Sequence, residues 1–123
     1  MLKHSDINYS DINYSDKNGY TELMYASESK SLSEDISLRI VKILIEKGVN
    51  INLSNNEGDT ALILASRNYH PHIVEHLLKA SANIDIKNNS GKTAMDVATE
   101  YEHKEIINLI YKYGNRQDII HFG

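Results

Sequence analysis

Apolar residues recur with a helical beat in three separate stretches, "RIVKILIEKG" (39–48), "HIVEHLLKAS" (72–81) and "EIINLIYKYG" (105–114). At about 100° per residue, Ile73, Val74, Leu77 and Leu78 share one helix face, and His72, Glu75, His76 and Lys79 share the opposite one. The first set predicts a buried stripe and the second a solvated one. Ile40, Val41, Leu44 and Ile45 keep the same phase, as do Ile106, Ile107, Ile110 and Tyr111, so all three stretches are expected to bury the same face.

Each amphipathic stretch follows a segment that also repeats: "DINYSDKNGYTELMYAS" (11–27), "NINLSNNEGDTALILAS" (50–66) and "NIDIKNNSGKTAMDVAT" (83–99). Their glycines, Gly19, Gly58 and Gly91, are spaced by 39 and then 33 residues, which gives a period of 33 with six extra residues in the first unit. The glycines suit a positive-φ turn, and Thr21, Thr60 and Thr93, two residues later, suit helix N-caps whose hydroxyls accept from a free N–H. Ala26, Ala65 and Ala98 leave room for a neighbouring helix. The unit therefore reads as turn, short helix, loop, longer helix, turn.

With Gly-x-Thr-x-Leu, an alanine, then Ile-Val-x-x-Leu-Leu, this unit resembles the ankyrin repeat. The likeness is fullest in "GDTALILASRNYHPHIVEHLLKASANID" (58–85) and "GKTAMDVATEYEHKEIINLIYKYGN" (91–115), and it extends over about residues 11–118. It implies an all-α repeat solenoid of about three helix-loop-helix pairs joined by β-turn or hairpin loops. The units would span about 16–55, 56–88 and 89–118, between an N-terminal arm (1–10) and a C-terminal tail (119–123). The family's Thr-Pro-Leu-His is Thr21-Glu22-Leu23-Met24, Thr60-Ala61-Leu62-Ile63 and Thr93-Ala94-Met95-Asp96 here, so its proline and histidine are missing throughout. Tyr69 and Glu102 replace the usual inter-helix glycine, while His70 and His103 keep the family's histidine position.

The six added residues fall in "SESKSLSEDIS" (27–37). Ser31-Leu32-Ser33-Glu34 has the capping-box pattern, and Leu32, Ile36, Ile40 and Leu44 form one i, i+4 ridge, so the second helix of that unit is expected to start early. The insertion reads as a tolerated surface lengthening.

Length and composition narrow the function. A chain of 123 residues fits one domain able to bury a core without staples. With no cysteine there is no disulfide framework, thiolate nucleophile or Cys-based zinc site. No apolar run serves as a signal-peptide core or a membrane span, and the expected setting is intracellular and cytoplasmic. Thirteen basic against seventeen acidic residues, a net charge of -4, argue against nucleic acid as a partner.

One catalytic pattern stands out. His72-Ile73-Val74-Glu75-His76 spells H-x-x-E-H, a zinc-protease signature, and a metal-dependent hydrolase built on it is the alternative reading. The pair His72 and His76 lies at i, i+4, within reach of one metal, and His70 could join them in adventitious zinc or nickel binding. The repeat register supplies a plainer account. His72 and Glu75 occupy the exposed positions of Arg39 and Lys42, and His76 matches Ile43 and Leu109, which predicts a partly packed neutral imidazole. Glu100, Glu102 and Glu105 read as a solvated edge, and no phosphate-cradling glycine loop is present. No cofactor, metal or catalytic residue is expected.

What the resemblance implies instead is a non-catalytic protein-binding module or scaffold, gripping a protein partner through turn tips and the concave helix face. The family's contact positions fall on Lys17, Asn18, Tyr20 and Glu28 in the first unit, Asn56, Glu57, Asp59 and Arg67 in the second, and Asn89, Ser90, Lys92 and Tyr101 in the third. Tyr20 and Tyr101 are the sharpest candidates, since rigid aromatics carry interface energy at small entropic cost. Ten residues before Asp11 are too few for a preceding helix pair, so the outward side of the first unit is expected to be covered by self-association, by a partner, or by further repeats if the chain is a fragment.

Overall fold

In a computed structural model of the chain, residues 11–122 are described, with side chains described as far as Gly114. The expected N-terminal arm, 1–10, and Gly123 lie outside the described residues. Six helices follow one another: α1 (Glu22–Glu28), α2 (Glu34–Glu46), α3 (Ala61–Arg67), α4 (Pro71–Lys79), α5 (Ala94–Glu100) and α6 (Lys104–Phe122). The odd-numbered helices pack side by side in one layer and the even-numbered ones in a second, which makes an all-α repeat solenoid of three helix pairs. Among the described residues the only strand-like pairing is a single antiparallel bridge between Ser54 and Thr60.

The short helices start where the capping chemistry places them. The hydroxyls of Thr21, Thr60 and Thr93 accept from the N–H groups of Met24, Ile63 and Asp96. At Thr93 the box closes both ways, because its N–H donates to the Asp96 carboxylate at 3.0 Å. Gly58, at φ +82°, is needed twice over: a Cβ there would also lie 2.7 Å from the Asn89 backbone nitrogen of the next turn. Tyr69 and Glu102, in place of the usual loop glycine, hold φ +56° and +58°. That conformation costs a non-glycine residue about 1 to 2 kcal/mol, and the N–H groups of His70 and His103, donating back to Ala65 and Ala98, hold the loops in place.

The predicted stripe is the core. Ile73, Val74 and Leu77 are fully buried and Leu78 nearly so, packed between α2 and α6. In the outer units the stripe narrows to Val41 and Leu44, and to Ile106 and Ile110, while Ile40, Ile45 and Ile107 are half-buried. Tyr113 is buried and donates its hydroxyl to Glu75 of α4, whereas Tyr111 corrects the expectation: it is 66% exposed. Its register equivalent Leu78 is covered by α6, and among the described residues no helix follows α6 to cover Tyr111.

Two boundaries differ from the pattern-based ones. α2 is 13 residues long against nine in α4, and the extra turn is at its N-terminus as expected. Its cap, however, is Ser33, whose hydroxyl accepts from Ile36 at 3.3 Å, so the Ser31 capping box does not form. Leu32 and Ile36 stay exposed, Ile40 is half-buried, and Leu44 alone of that ridge is buried. At the other end, α6 runs to Phe122, through the stretch expected to be a tail. Gly48 and Ser81 turn the chain with φ +86° and +68°, but their equivalent Gly114 stays helical. Its missing side chain lets α6 pass close to Ile84, whose methyl would meet a Cβ at 3.0 Å. No helix among the described residues is long and apolar enough to cross a membrane.

Candidate functional site

The turns before α1, α3 and α5 are built alike. Asp16, Asn55 and Asn88 each use one side-chain oxygen to accept from the N–H groups two and four residues on, at 2.9 to 3.0 Å. Successive turns are then tied tip to tip. Asn56 donates its backbone N–H to the Asn18 carbonyl and its amide to the Lys17 carbonyl, at 3.0 and 2.9 Å. Asn89 repeats both bonds one unit later, to Glu57 and Asn56. These two asparagines, expected as partner contacts, are also the rungs that join the turns.

A second repeating feature ties each turn to its own short helix. The residue after the turn glycine meets the residue eight positions on: Tyr20 donates to Glu28 at 2.5 Å, Arg67 grips both oxygens of Asp59 at 3.0 and 3.1 Å, and Lys92 pairs with Glu100 at 2.8 Å. The partners change chemistry from unit to unit while the brace stays. Burial, and then the Glu28 hydrogen bond, push the Tyr20 phenol well above its ordinary value, which keeps it a donor. Asp59 is buried and also accepts from the Asn88 amide at 2.9 Å, so its carboxylate is occupied within the fold. Glu100 is the register equivalent of Glu28 and Arg67; Tyr101, taken for that position from the sequence, lies one residue beyond it.

Tyr101 belongs to a different group. Half exposed at the end of α5, it packs on His103, with ring centroids 5.8 Å apart, and His103 packs on Tyr69 at 5.0 Å. His103 Nδ1 lies 2.9 Å from the Ser66 carbonyl, and the Tyr69 hydroxyl donates to Glu105 at 3.0 Å. An aromatic edge thus forms at the far end of the short helices from the turns. In the first unit Tyr20 instead packs on the exposed Tyr25, at 4.8 Å, and Tyr25 donates to Asp16. Tyr69 and His103 escape sequence reasoning because they meet across the loops of successive units, and Tyr25 because Tyr20 and Asp16 reach it only once the turn folds back on α1.

The H-x-x-E-H residues lie on the outer side of α4, away from this surface. His72 is exposed, Glu75 accepts from the Tyr113 hydroxyl at 3.4 Å, and His76 borders a groove with Lys42, Ile45 and Glu46 of α2. His70 is the N-cap of α4, with its Nε2 buried, so it does not join the other two histidines. Among the described residues no three His, Asp or Glu side chains gather as a metal would require. Burial, ahead of the Lys42 and Lys79 charges, holds the His76 imidazole below its ordinary value of 6.5, with Glu75 opposing and His72 adding to the shift. The folded value lies below the unfolded one, so the stability gained from neutral His76 is full above about pH 6.5 and falls as acid takes the pH down through the folded value. His76→Leu is expected to lose less stability than the wild type between about pH 7.5 and pH 5.5 in urea melts. Equal losses would show that His76 is not packed.

The family model for ankyrin repeats (3 copies) matches residues 32–120, most of the chain. The chain belongs to the ankyrin repeat family. No curated protein matches it closely enough to count as a relative. Ankyrin repeats are generally protein–protein interaction modules. In this ankyrin stack the expected contact positions divide in three. Lys17, Asn18, Glu57 and Ser90 stand exposed on the tips, with Asn56 and Asn89 exposed as the rungs between them; Tyr20, Glu28, Arg67 and Lys92 are half-buried in the braces, with Asp59 buried there; and Tyr101 lies on the aromatic edge.

Proposed function

We propose that this ankyrin domain is a non-catalytic binding module that takes a protein partner across the surface between the turn tips and the aromatic edge. The observation that carries the reading is the set of three braces, which fix each tip to its own helix before any partner arrives. A surface already ordered in the free protein loses little side-chain entropy on binding. Lys17, Asn18, Glu57 and Ser90 would read the partner's polar groups, and Tyr101 with Tyr69 would supply the anchoring rings. The absence of cysteine suits an intracellular setting.

The test is affinity capture from the native cell with three baits: wild type, Tyr69→Ala with Tyr101→Ala, and Arg39→Ala with His72→Ala on the outer helix layer. The tyrosine variant is expected to bind the captured partner at least about tenfold more weakly, as for loss of one or two anchor residues, and the outer-layer variant to bind as wild type does. The reverse pattern would move the partner to the outer layer and refute the proposal.

A further inference from the structure

The two ends of the stack are finished differently in the two helix layers. In the odd-numbered layer, the positions that face the preceding unit are Ala61 and Leu64 in α3, and Ala94 and Val97 in α5, all buried; in α1 they are Glu22 and Tyr25, both exposed. The positions that face the following unit are Met24 and Ser27 in α1, and Ile63 and Ser66 in α3, again buried; in α5 they are Asp96 and Thr99, both exposed. Polar groups thus close this layer at both ends, as a terminal unit requires. The even-numbered layer has no such change. Its leading face shows Leu32, Ile36 and Ile43, 42 to 49% exposed, beside half-buried Ile40, and its trailing face shows Tyr111 beside half-buried Ile107.

We propose that a second copy of this chain covers these faces, the α6 side of one copy docking head to tail on the α2 side of the next. The internal junction between α2 and α4 is the template. There Ile45 and Glu46 border the same groove as His76 and Lys79. In the repeat register, Tyr111 and Lys112 of one copy, two units after Ile45 and Glu46, stand where those residues stand, and Ile43 and Glu46 of the next copy, one unit before His76 and Lys79, stand where those two stand. Tyr111 therefore meets Ile43, and Lys112 meets Glu46, an apolar contact beside an opposite-charge pair. Pairing two α2 helices about a two-fold axis is less favourable. In the antiparallel arrangement that sets Ile36 against Ile43, Asp35 comes opposite Leu44, Glu46 opposite Ser33 and Lys42 opposite Ser37, so no opposite-charge pair forms there. In the other layer Asp96 of one copy approaches Glu22 of the next, so the junction closes tightly on one side only and the association is weak. Being heterologous, it does not stop at two copies.

Sedimentation velocity on the full chain over a wide concentration range tests this, with Ile43→Glu and Tyr111→Glu, both at exposed positions and checked by circular dichroism for an unchanged fold. The wild type is expected to rise past twice the monomer mass with no plateau. Each variant alone stays monomeric, having lost one of its two faces. Mixed together they form dimers and nothing larger, since Tyr111→Glu keeps a working leading face and Ile43→Glu a working trailing face. Three results would overturn the proposal: a wild type that is monomeric throughout, as when residues 1–10 cover the leading face; Tyr111→Glu still dimerising alone, the mark of a symmetric α2 contact; or a mixture that stays monomeric.

Discussion

Leu77→Ala is expected to destabilise the protein by about 2 to 5 kcal/mol, the range for truncating a fully buried leucine whose surroundings only partly relax. Leu77 is fully buried in α4, the helix that packs on α2 and α6 at once, so the lost contacts belong to both junctions of the stack. In a linear array, stability is close to a sum of unit and nearest-neighbour terms, and among the described residues the central unit is the one coupled on both sides. Its equivalent Leu44 is 6% exposed and has no preceding helix pair among the described residues, so Leu44→Ala is expected to cost less. Urea melts measure both. A Leu77→Ala loss within about 0.5 kcal/mol of zero, typical of surface changes, would mean that the stripe has been placed on the wrong face.

Arg67→Met is expected to cost about 2 to 3 kcal/mol, below the usual range for breaking a buried ion pair because the Arg67 side chain is itself 29% exposed. The loss arises mainly at Asp59, whose side chain is 3% exposed and is left with the Asn88 amide and no countercharge. Adding Asp59→Asn to Arg67→Met removes the stranded charge and is expected to recover part of the loss. A double-mutant cycle separates this coupling from lost packing. A single-variant loss near zero would mark the pair as an ordinary surface ion pair.

The stripe Ile73, Val74, Leu77 and Leu78 was legible because helical periodicity is local, and the Thr21, Thr60 and Thr93 caps because each needs only its own next three residues. The fate of Tyr111 was not legible in this way: its pattern matches Leu78, and what differs is the neighbour that would cover it. Asp59 falls on one of the family's contact positions, and its burial depends on Asn88 in the next turn and on Arg67 eight residues later. The brace to Glu100 follows from a strict count of 33 from Arg67, which puts Tyr101 one residue beyond the brace. At Ser31 and Ser33 two serines competed for one cap, and spacing alone does not decide between them.

The braces also bear on how fast a partner arrives. Asp59 with Arg67 and Lys92 with Glu100 are ion pairs closed within the protein, so much of the charge along that surface is cancelled at short range. A surface of that kind projects little long-range field, and diffusing partners are not drawn in by it. The association rate should therefore change only slightly with ionic strength, and selectivity should be expressed in how long the complex lasts once the fitted surfaces have met.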